Sequence, residues 1–190
     1  YDQINHASAA FYIAPGQGFF VDANATGAPH NLSITEAMQS HQGTDTFFKT
    51  ENTRPEINIT LSNGTDVRDA DILYIDGTTT GFDNGYDSSI FGGISNPFAI
   101  YTHAVANGNG RNLGIQSLPD NDFENMIIPL GMNTISGSEI VLNASAVNIP
   151  VGINIYLEDK DDNSFTLLDG SSNYSTTLAS DLNGIGRFYI

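Results

Sequence analysis

Glu56-Ile-Asn-Ile-Thr-Leu-Ser62 alternates apolar and polar residues without interruption. Successive side chains of a β-strand point to opposite faces, so Ile57, Ile59 and Leu61 would share one face. The polar residues between them would share the other. This stretch therefore predicts a strand with one face buried in a core and one face in contact with solvent.

Further short apolar or alternating segments, bounded by Gly, Pro, Asn and Asp, recur along the chain at intervals of about 8–14 residues. This rhythm is typical of an all-β fold of the β-sandwich or jelly-roll kind, with about a dozen short strands. Only residues 35–42 favour a helical turn, with Thr35 as a possible cap. The other predicted strands are 9–13, 19–21, 31–34, 72–75, 98–102, 113–118, 126–130, 139–144, 153–157, 165–168, 174–178 and 187–190.

The length of 190 residues is enough for one domain with a hydrophobic core, and no linker interrupts it. We therefore predict a single module over residues 1–190, with two lobes meeting near residue 120 as an open alternative. The chain has no cysteine, which excludes disulfides and thiol catalysis. It begins at Tyr1 without a methionine, so we expect it to be part of a longer polypeptide.

Charge narrows the choice of partners. Six Lys and Arg residues against 22 Asp and Glu residues give a formal net charge of −16. Nucleic acids and anionic membrane surfaces would be repelled, because both require a basic surface. The chain has no apolar run of the length that a membrane-spanning helix needs, about 18 residues. We therefore predict neither nucleic-acid binding nor membrane insertion.

Residues 76–87, Asp-Gly-Thr-Thr-Thr-Gly-Phe-Asp-Asn-Gly-Tyr-Asp, combine acidic residues and glycines in a loop that follows a predicted strand. Carboxylate and amide oxygens are the ligands that Ca²⁺ prefers, so Asp76, Asp83, Asn84 and Asp87 are candidate calcium ligands. The spacing lacks the glutamate of an EF-hand loop. The alternative is that these side chains bind their own backbone in Asx turns.

Aromatic residues in and near the same loop suggest a second kind of site. Phe82, Tyr86 and Tyr101 could present rings to the apolar faces of sugars, a task for which the chain has no Trp. Exposed aromatic residues often mark binding surfaces, whereas buried ones belong to the core. The sequence leaves both roles open and predicts glycan binding if these rings are accessible.

No catalytic motif emerges. The four histidines lack the spacing of a zinc site or a triad, and with 22 acidic residues no carboxylate pair stands out. The acidic turns at residues 120–122 and 158–163 are further cation candidates, although a solvated turn explains each of them more simply. The histidines are His6, His30, His41 and His103.

Several motifs, taken together and in order, resemble the β-rich region next to the C-terminal sorting domain in cargo proteins of the type IX secretion system of Bacteroidota. The resemblance implies a secreted or cell-surface module attached to a larger polypeptide, such as a polysaccharide-degrading enzyme or an adhesin. It implies no catalytic residues. The motifs are Tyr12-Ile-Ala-Pro-Gly-Gln-Gly-Phe-Phe-Val21, Asp45-Thr-Phe-Phe48, the loop at 76–87, Leu118-Pro119, Ile128-Pro-Leu-Gly131, Ile155-Tyr-Leu-Glu-Asp159 and Gly186-Arg-Phe188.

Three functional hypotheses follow. The first is a non-catalytic extracellular accessory module that binds or presents glycans, with calcium holding the loop at 76–87. The second is an adhesive or structural module that binds a protein or the cell envelope. The third is a glycan-active enzyme with paired carboxylates. A flat exposed patch would favour the second, a groove with aromatic walls the first, and a deep cleft with perturbed carboxylates the third.

Overall fold

The computed structural model describes residues 33–39, 53–90, 96–107 and 110–190. The chain divides into two compact units, Tyr1–Asn52 and Thr53–Ile190. In the first unit, the described residues hold one short 3-10 helix, Glu36–Met38, which lies within the predicted helical turn. The single-module prediction stays a prediction.

Some predicted segments cannot be compared with the structure. The strands predicted at 9–13 and 19–21, the first half of the one at 31–34, and the end of the turn at 35–42 lie outside the described residues. Residues 33 and 34 are described and are not in a strand.

The second unit is built from strands, and the prediction of an all-β fold is confirmed. No helix among the described residues is long and apolar enough to cross a membrane. The strands are β1 (Glu56–Ser62), β2 (Val67–Tyr74), β3 (Ser88–Ser89), β4 (Ala99–Thr102), β5 (Leu113–Leu118), β6 (Pro129–Thr134), β7 (Glu139–Val147), β8 (Tyr156–Asp159), β9 (Ser164–Leu167), β10 (Tyr174–Thr177) and β11 (Leu182–Tyr189).

These strands form one hydrogen-bonded sheet in the order β10-β7-β1-β2-β5-β4-β6-β11-β8-β9, with β3 added beside β5. The pair β2 and β5 is parallel, and the other strand pairs are antiparallel. Within the described residues, β10 and β9 are the two end strands of this order, because each has one strand partner.

One face of the sheet carries the hydrophobic core. Ile57, Ile59 and Leu61 point into it, as the alternation of β1 predicts. The same cluster contains Leu142 from β7 and Phe188 from β11, strands that lie far apart in the order. The sheet must therefore curl so that its two halves face each other across a shared core, as the layers of a sandwich do.

A polar cluster joins the two ends of the strand order. Tyr174 on β10 donates a hydrogen bond of 2.5 Å to Oδ2 of Asp159 on β8. Arg187 on β11 donates two hydrogen bonds to the same carboxylate, from Nε to Oδ1 at 3.0 Å and from Nη2 to Oδ2 at 2.8 Å. The ring of Tyr174 also packs edge-on against Phe188, with 5.8 Å between the ring centroids. These contacts hold β10 against β8 and β11 where no backbone ladder does so.

The strand β4 is buried on both of its faces. Phe98 and Ile100 belong to the core cluster, whereas Tyr101 points to the opposite face of the sheet. There its ring covers Gly131 of β6 so closely that a Cβ atom at that glycine would lie 2.1 Å from the Tyr101 Cε2 atom. Glycine at 131 is therefore required by space.

The strand β11 contains an irregularity that opens a small cavity. Between the pairs Gly184 with Met132 and Phe188 with Leu130, three residues of β11 oppose one residue of β6. Gly184 and Gly186 take φ values of 134° and 123°, which the bulge needs and which side chains disfavour. The resulting cavity of about 240 Å³ has Leu130, Met132 and Phe188 as apolar walls and Arg187 at its lining.

Candidate functional site

The loop at 76–87 is held together by hydrogen bonds from its own backbone. The carboxylate of Asp83 accepts a 2.6 Å hydrogen bond from the Thr79 amide and a 3.1 Å bond from the Thr79 hydroxyl. The hydroxyl of Thr79 accepts a bond from the Gly81 amide at 3.1 Å. The loop is thus closed by the Asx-type bonding that the sequence left open as an alternative.

Asp87 fastens the end of this loop to the sheet. Its Oδ1 accepts the amide of Ser117 on β5 at 2.5 Å, and its Oδ2 accepts the amide of Asp83 at 2.6 Å. Burial raises the pKa of Asp87 to about 6, against these two backbone donors, which lower it. Asp87 is therefore a buried anchor whose two oxygens are already engaged.

The four predicted calcium ligands do not gather around one point. Asp76 and Asn84 are exposed, whereas Asp83 and Asp87 turn their oxygens toward backbone amides. In the described part of the chain, no group of three or more His, Cys, Asp or Glu side chains is placed to hold a metal. Calcium binding at this loop stays a prediction.

The three predicted ring residues have different surroundings. Phe82 is partly buried, and the guanidinium of Arg111 lies over its ring, 4.1 Å from the centroid. Tyr86 is also partly buried. Tyr101 is only 2% exposed and its hydroxyl donates to Asn133 Oδ1 at 3.2 Å, which corrects the expectation of an accessible ring there.

An exposed apolar surface lies elsewhere, on the solvent side of β8 and β9. Tyr156, Phe165 and Leu167 are 46%, 67% and 36% exposed. Tyr156 and Leu167 are direct cross-strand partners. Phe165 lies two residues before Leu167 in the same strand, so its side chain is on the same face. These three side chains form a continuous surface that we call the β8–β9 face.

Polar and aromatic residues border this face. Glu158 is paired with Phe165 on one side and with Tyr189 of β11 on the other. Lys160 binds Glu158 at 2.5 Å and lies 5.4 Å from the centroid of the Tyr189 ring. An apolar centre with a polar border is the usual composition of a protein-binding surface.

The residues of the β8–β9 face were not among the predicted site residues, although the sequence held a signal for one of them. The alternation of Ile153, Ile155 and Leu157 turns Tyr156 to the outer face of its strand. A large aromatic residue on an outward position is a mark of a binding surface. Phe165 needed the cross-strand register before it could be placed beside Tyr156.

The two buried acids of the described residues, Asp87 and Asp159, have separate hydrogen-bond partners. Asp159 is 1% exposed and is the acid that joins the ends of the sheet. Although burial would raise its pKa, hydrogen bonds from Arg187, Tyr174 and the Asp161 amide lower the pKa of Asp159 below its ordinary value. Asp87 and Asp159 thus lie on different elements, each with its own donors.

His103 is the one histidine within the described residues. Its Nε2 lies 2.6 Å from Oδ1 of Asn112, and its backbone oxygen accepts a 3.1 Å bond from Gln116 Nε2. Its ring lies beside that of Tyr101, with 5.9 Å between the centroids. These contacts tie the end of β4 to β5 and give His103 a positional role.

Fold and surface together define an all-β module whose sheet curls around one core and leaves an apolar face on its last two strands. The chain belongs to the family described as a domain of unknown function, DUF8693, whose model matches residues 2–190. No curated protein matches the chain. No solved structure matches it either.

Proposed function

We propose that this chain is a non-catalytic binding module of a secreted or cell-surface protein, and that it contacts a protein partner through the β8–β9 face. The observation that carries this proposal is the exposure of Tyr156, Phe165 and Leu167 side by side on one face of a strand pair. Apolar side chains that stand out from a strand face suit contact with another protein better than with a small ligand, because small ligands bind in concave sites.

The glycan hypothesis has less geometric support. Of the three rings it relies on, Tyr101 lies in the sheet and Phe82 already has Arg111 stacked on it. A sugar would have to displace that guanidinium to reach the ring.

Charge and composition support the proposed setting. A surface rich in Asn, Ser, Thr and Gly with a net charge of −16 is compatible with an extracellular module and unsuited to nucleic acid. The resemblance to modules of type IX secretion cargo implies the same location and a larger parent polypeptide. Location and parent are therefore part of the proposal.

An array that carries purified bacterial surface proteins beside bacterial, plant and marine glycans tests the proposal. We expect the wild-type chain to be retained on protein spots, and Phe165→Ser to lose that retention. Val151→Ser is the matched control, because Val151 is fully exposed at 105% and lies in a turn outside the β8–β9 face. Retention that Phe165→Ser and Val151→Ser reduce equally would contradict the proposal.

The same array distinguishes glycan binding from protein binding. Retention on glycan spots that is lost in Tyr86→Ala and kept in Phe165→Ser would move the binding site to the loop at 76–87.

Calcium binding is tested separately by the melting temperature, since an ion bound only by the folded state stabilises that state. If calcium is bound, EDTA should lower the melting temperature. An unchanged melting temperature would rule out calcium binding at this loop.

A further inference from the structure

Among the described residues, the strand β9 lies at the end of the strand order and pairs with β8 alone, so one of its two edges has no strand partner there. The amide of Leu168 donates to the oxygen of Ile155 at 2.9 Å, which makes these two residues a hydrogen-bonded pair of the antiparallel ladder. Such pairs alternate along a ladder, so Thr166 also bonds to β8. The backbone groups of Phe165 and Leu167 consequently point away from β8, toward the open edge.

Strand edges in soluble proteins are usually protected by lysine, proline, a bulge, an inward-pointing charge or the shortness of the strand. Ser164-Phe-Thr-Leu167 is short, but it has no lysine, proline or charge, and its register with β8 is regular over all four residues. The residues with free backbone groups, Phe165 and Leu167, are also those with exposed apolar side chains. An added strand would thus find backbone partners at the edge and apolar contacts on the adjoining face.

The charges near this edge favour one kind of partner. Exposed Asp162 precedes β9 and exposed Asp169 follows it, so a carboxylate stands near each end of the strand. The neighbouring Asp161 already pairs with Arg187 at 3.3 Å. Lys160 is the nearest cation in sequence, and it is bound to Glu158. A second copy of this chain would bring another net charge of −16 to the same edge, which opposes self-pairing.

We propose that the edge of β9 binds an extended, cationic peptide segment of a partner protein, which adds to the sheet as one more strand. This inference rests on the proposed function and specifies its binding mode and partner chemistry. The segment needs about four residues, or about 13 Å, to span β9, with basic residues near its ends to meet the flanking carboxylates. Apolar side chains at alternate positions would lie on the β8–β9 face.

The test uses the whole chain and a synthetic peptide of alternating valine and threonine with lysines at both ends. We expect NMR to show slower hydrogen exchange at the amides of Phe165 and Leu167 when the peptide binds. The same peptide with glutamates at its ends should bind at least about tenfold more weakly, because the flanking aspartates repel it. Methylation of alternate peptide nitrogens should weaken binding by roughly three- to tenfold for each hydrogen bond removed.

A pair of protein variants isolates the backbone contribution. Leu167→Ala and Leu167→Pro both replace the leucine side chain by a smaller one, but only the proline also removes the outward N–H. Proline is tolerated on an edge strand where its nitrogen faces solvent. We expect Leu167→Pro to bind the lysine peptide more weakly than Leu167→Ala does. If the proline variant fails to fold, the methylated peptides still decide the question.

Four results would overturn the inference: no binding of the lysine peptide, equal binding of both peptides, binding without protection of Phe165 and Leu167, or pairing of two copies of the chain at this edge. Binding without amide protection, if lost in Phe165→Ser, would leave the proposed function standing. Loss of all binding to the β8–β9 face on the protein array would reject the proposed function itself.

Discussion

The hydroxyl of Tyr174 on β10 donates a 2.5 Å hydrogen bond to the buried carboxylate of Asp159 on β8. These strands lie toward opposite ends of the sheet order, so one side-chain bond spans the place where the sheet meets itself. Side chains make this contact, and no backbone ladder joins β10 to β9 among the described residues, so the outer edge of β9 has no strand partner there.

Removing the Tyr174 hydroxyl should weaken this junction. We expect Tyr174→Phe to lower the free energy of unfolding by about 1–3 kcal/mol, because a buried carboxylate loses one donor while Arg187 keeps it paired. Urea denaturation measures the effect. Tyr156→Phe is the control, since Tyr156 is partly exposed on the outer face of β8, and it should change the unfolding free energy by less than about 0.5 kcal/mol. Equal losses in both variants would contradict the role assigned to Tyr174.

Removing Arg187 should have a larger effect. Arg187→Met leaves the buried Asp159 carboxylate without its cation, and we expect a loss of about 3–5 kcal/mol at neutral pH. Arg68→Met is the control, because Arg68 lies 4.0 Å from Asp66 in an exposed pair. A loss at Arg187 no larger than at Arg68 would show that the ion pair does not hold the junction.

The same ion pair has a pH signature. The folded state lowers the pKa of Asp159, so the stability it contributes is present above the ordinary pKa of 3.8 and is lost as the pH falls through the lower folded value. The free energy of unfolding should therefore drop more in the wild type than in Arg187→Met as the pH falls below 3.8. Parallel curves for the two proteins would rule this linkage out.

Asp87 should make stability depend on pH in the opposite direction to Asp159. Burial raises its pKa from 3.8 to about 6, so the stability from its protonation is present below 3.8 and is lost as the pH rises through about 6. NMR titration of the Asp87 side-chain carbon should show a midpoint near 6. A midpoint at or below 3.8 would mean that the amides of Asp83 and Ser117 outweigh burial.

Gly131 should tolerate no side chain. A Cβ atom there would meet the Tyr101 ring at 2.1 Å, so we expect Gly131→Ala to lower the unfolding free energy by about 1–3 kcal/mol or more. Gly114→Ala is the matched control, because its Cβ would lie 3.4 Å from Ile90, an ordinary contact. The double variant Gly131→Ala with Tyr101→Leu should recover part of the loss. No recovery would indicate that Tyr101 is not the obstacle.

Local alternation explains which strands could be predicted. The bounds of β1 agree with the predicted 56–62, because its apolar residues alternate strictly. The strand β2 begins at Val67, five residues before its predicted start, because its polar half is stabilised by pairing with β1. Thr60 donates to Asp69 and Asn58 to Asp71, each at 2.8 Å. Such non-local bonds leave no mark in a local pattern.

The candidate site was harder to predict than the fold. Residues 98–102 are apolar or aromatic apart from Thr102, so the sequence could not tell which face Tyr101 occupies or that both faces are covered. Asp159 alternates with Ile155 and Leu157, so its side chain lies on the same inward face. The acidic turn around it nevertheless favoured a solvent-exposed position. Its partner Arg187 follows 28 residues later, and only the folded sheet brings them together.

Amide hydrogen exchange of the free chain, read by NMR, shows whether the outer edge of β9 is open. We expect slow exchange at Thr166 and Leu168, whose amides bond to β8 and its extension, and fast exchange at Phe165 and Leu167, whose amides face the open edge. Slow exchange at all four amides would contradict this expectation, because β9 would then be covered on both sides and could not receive a partner.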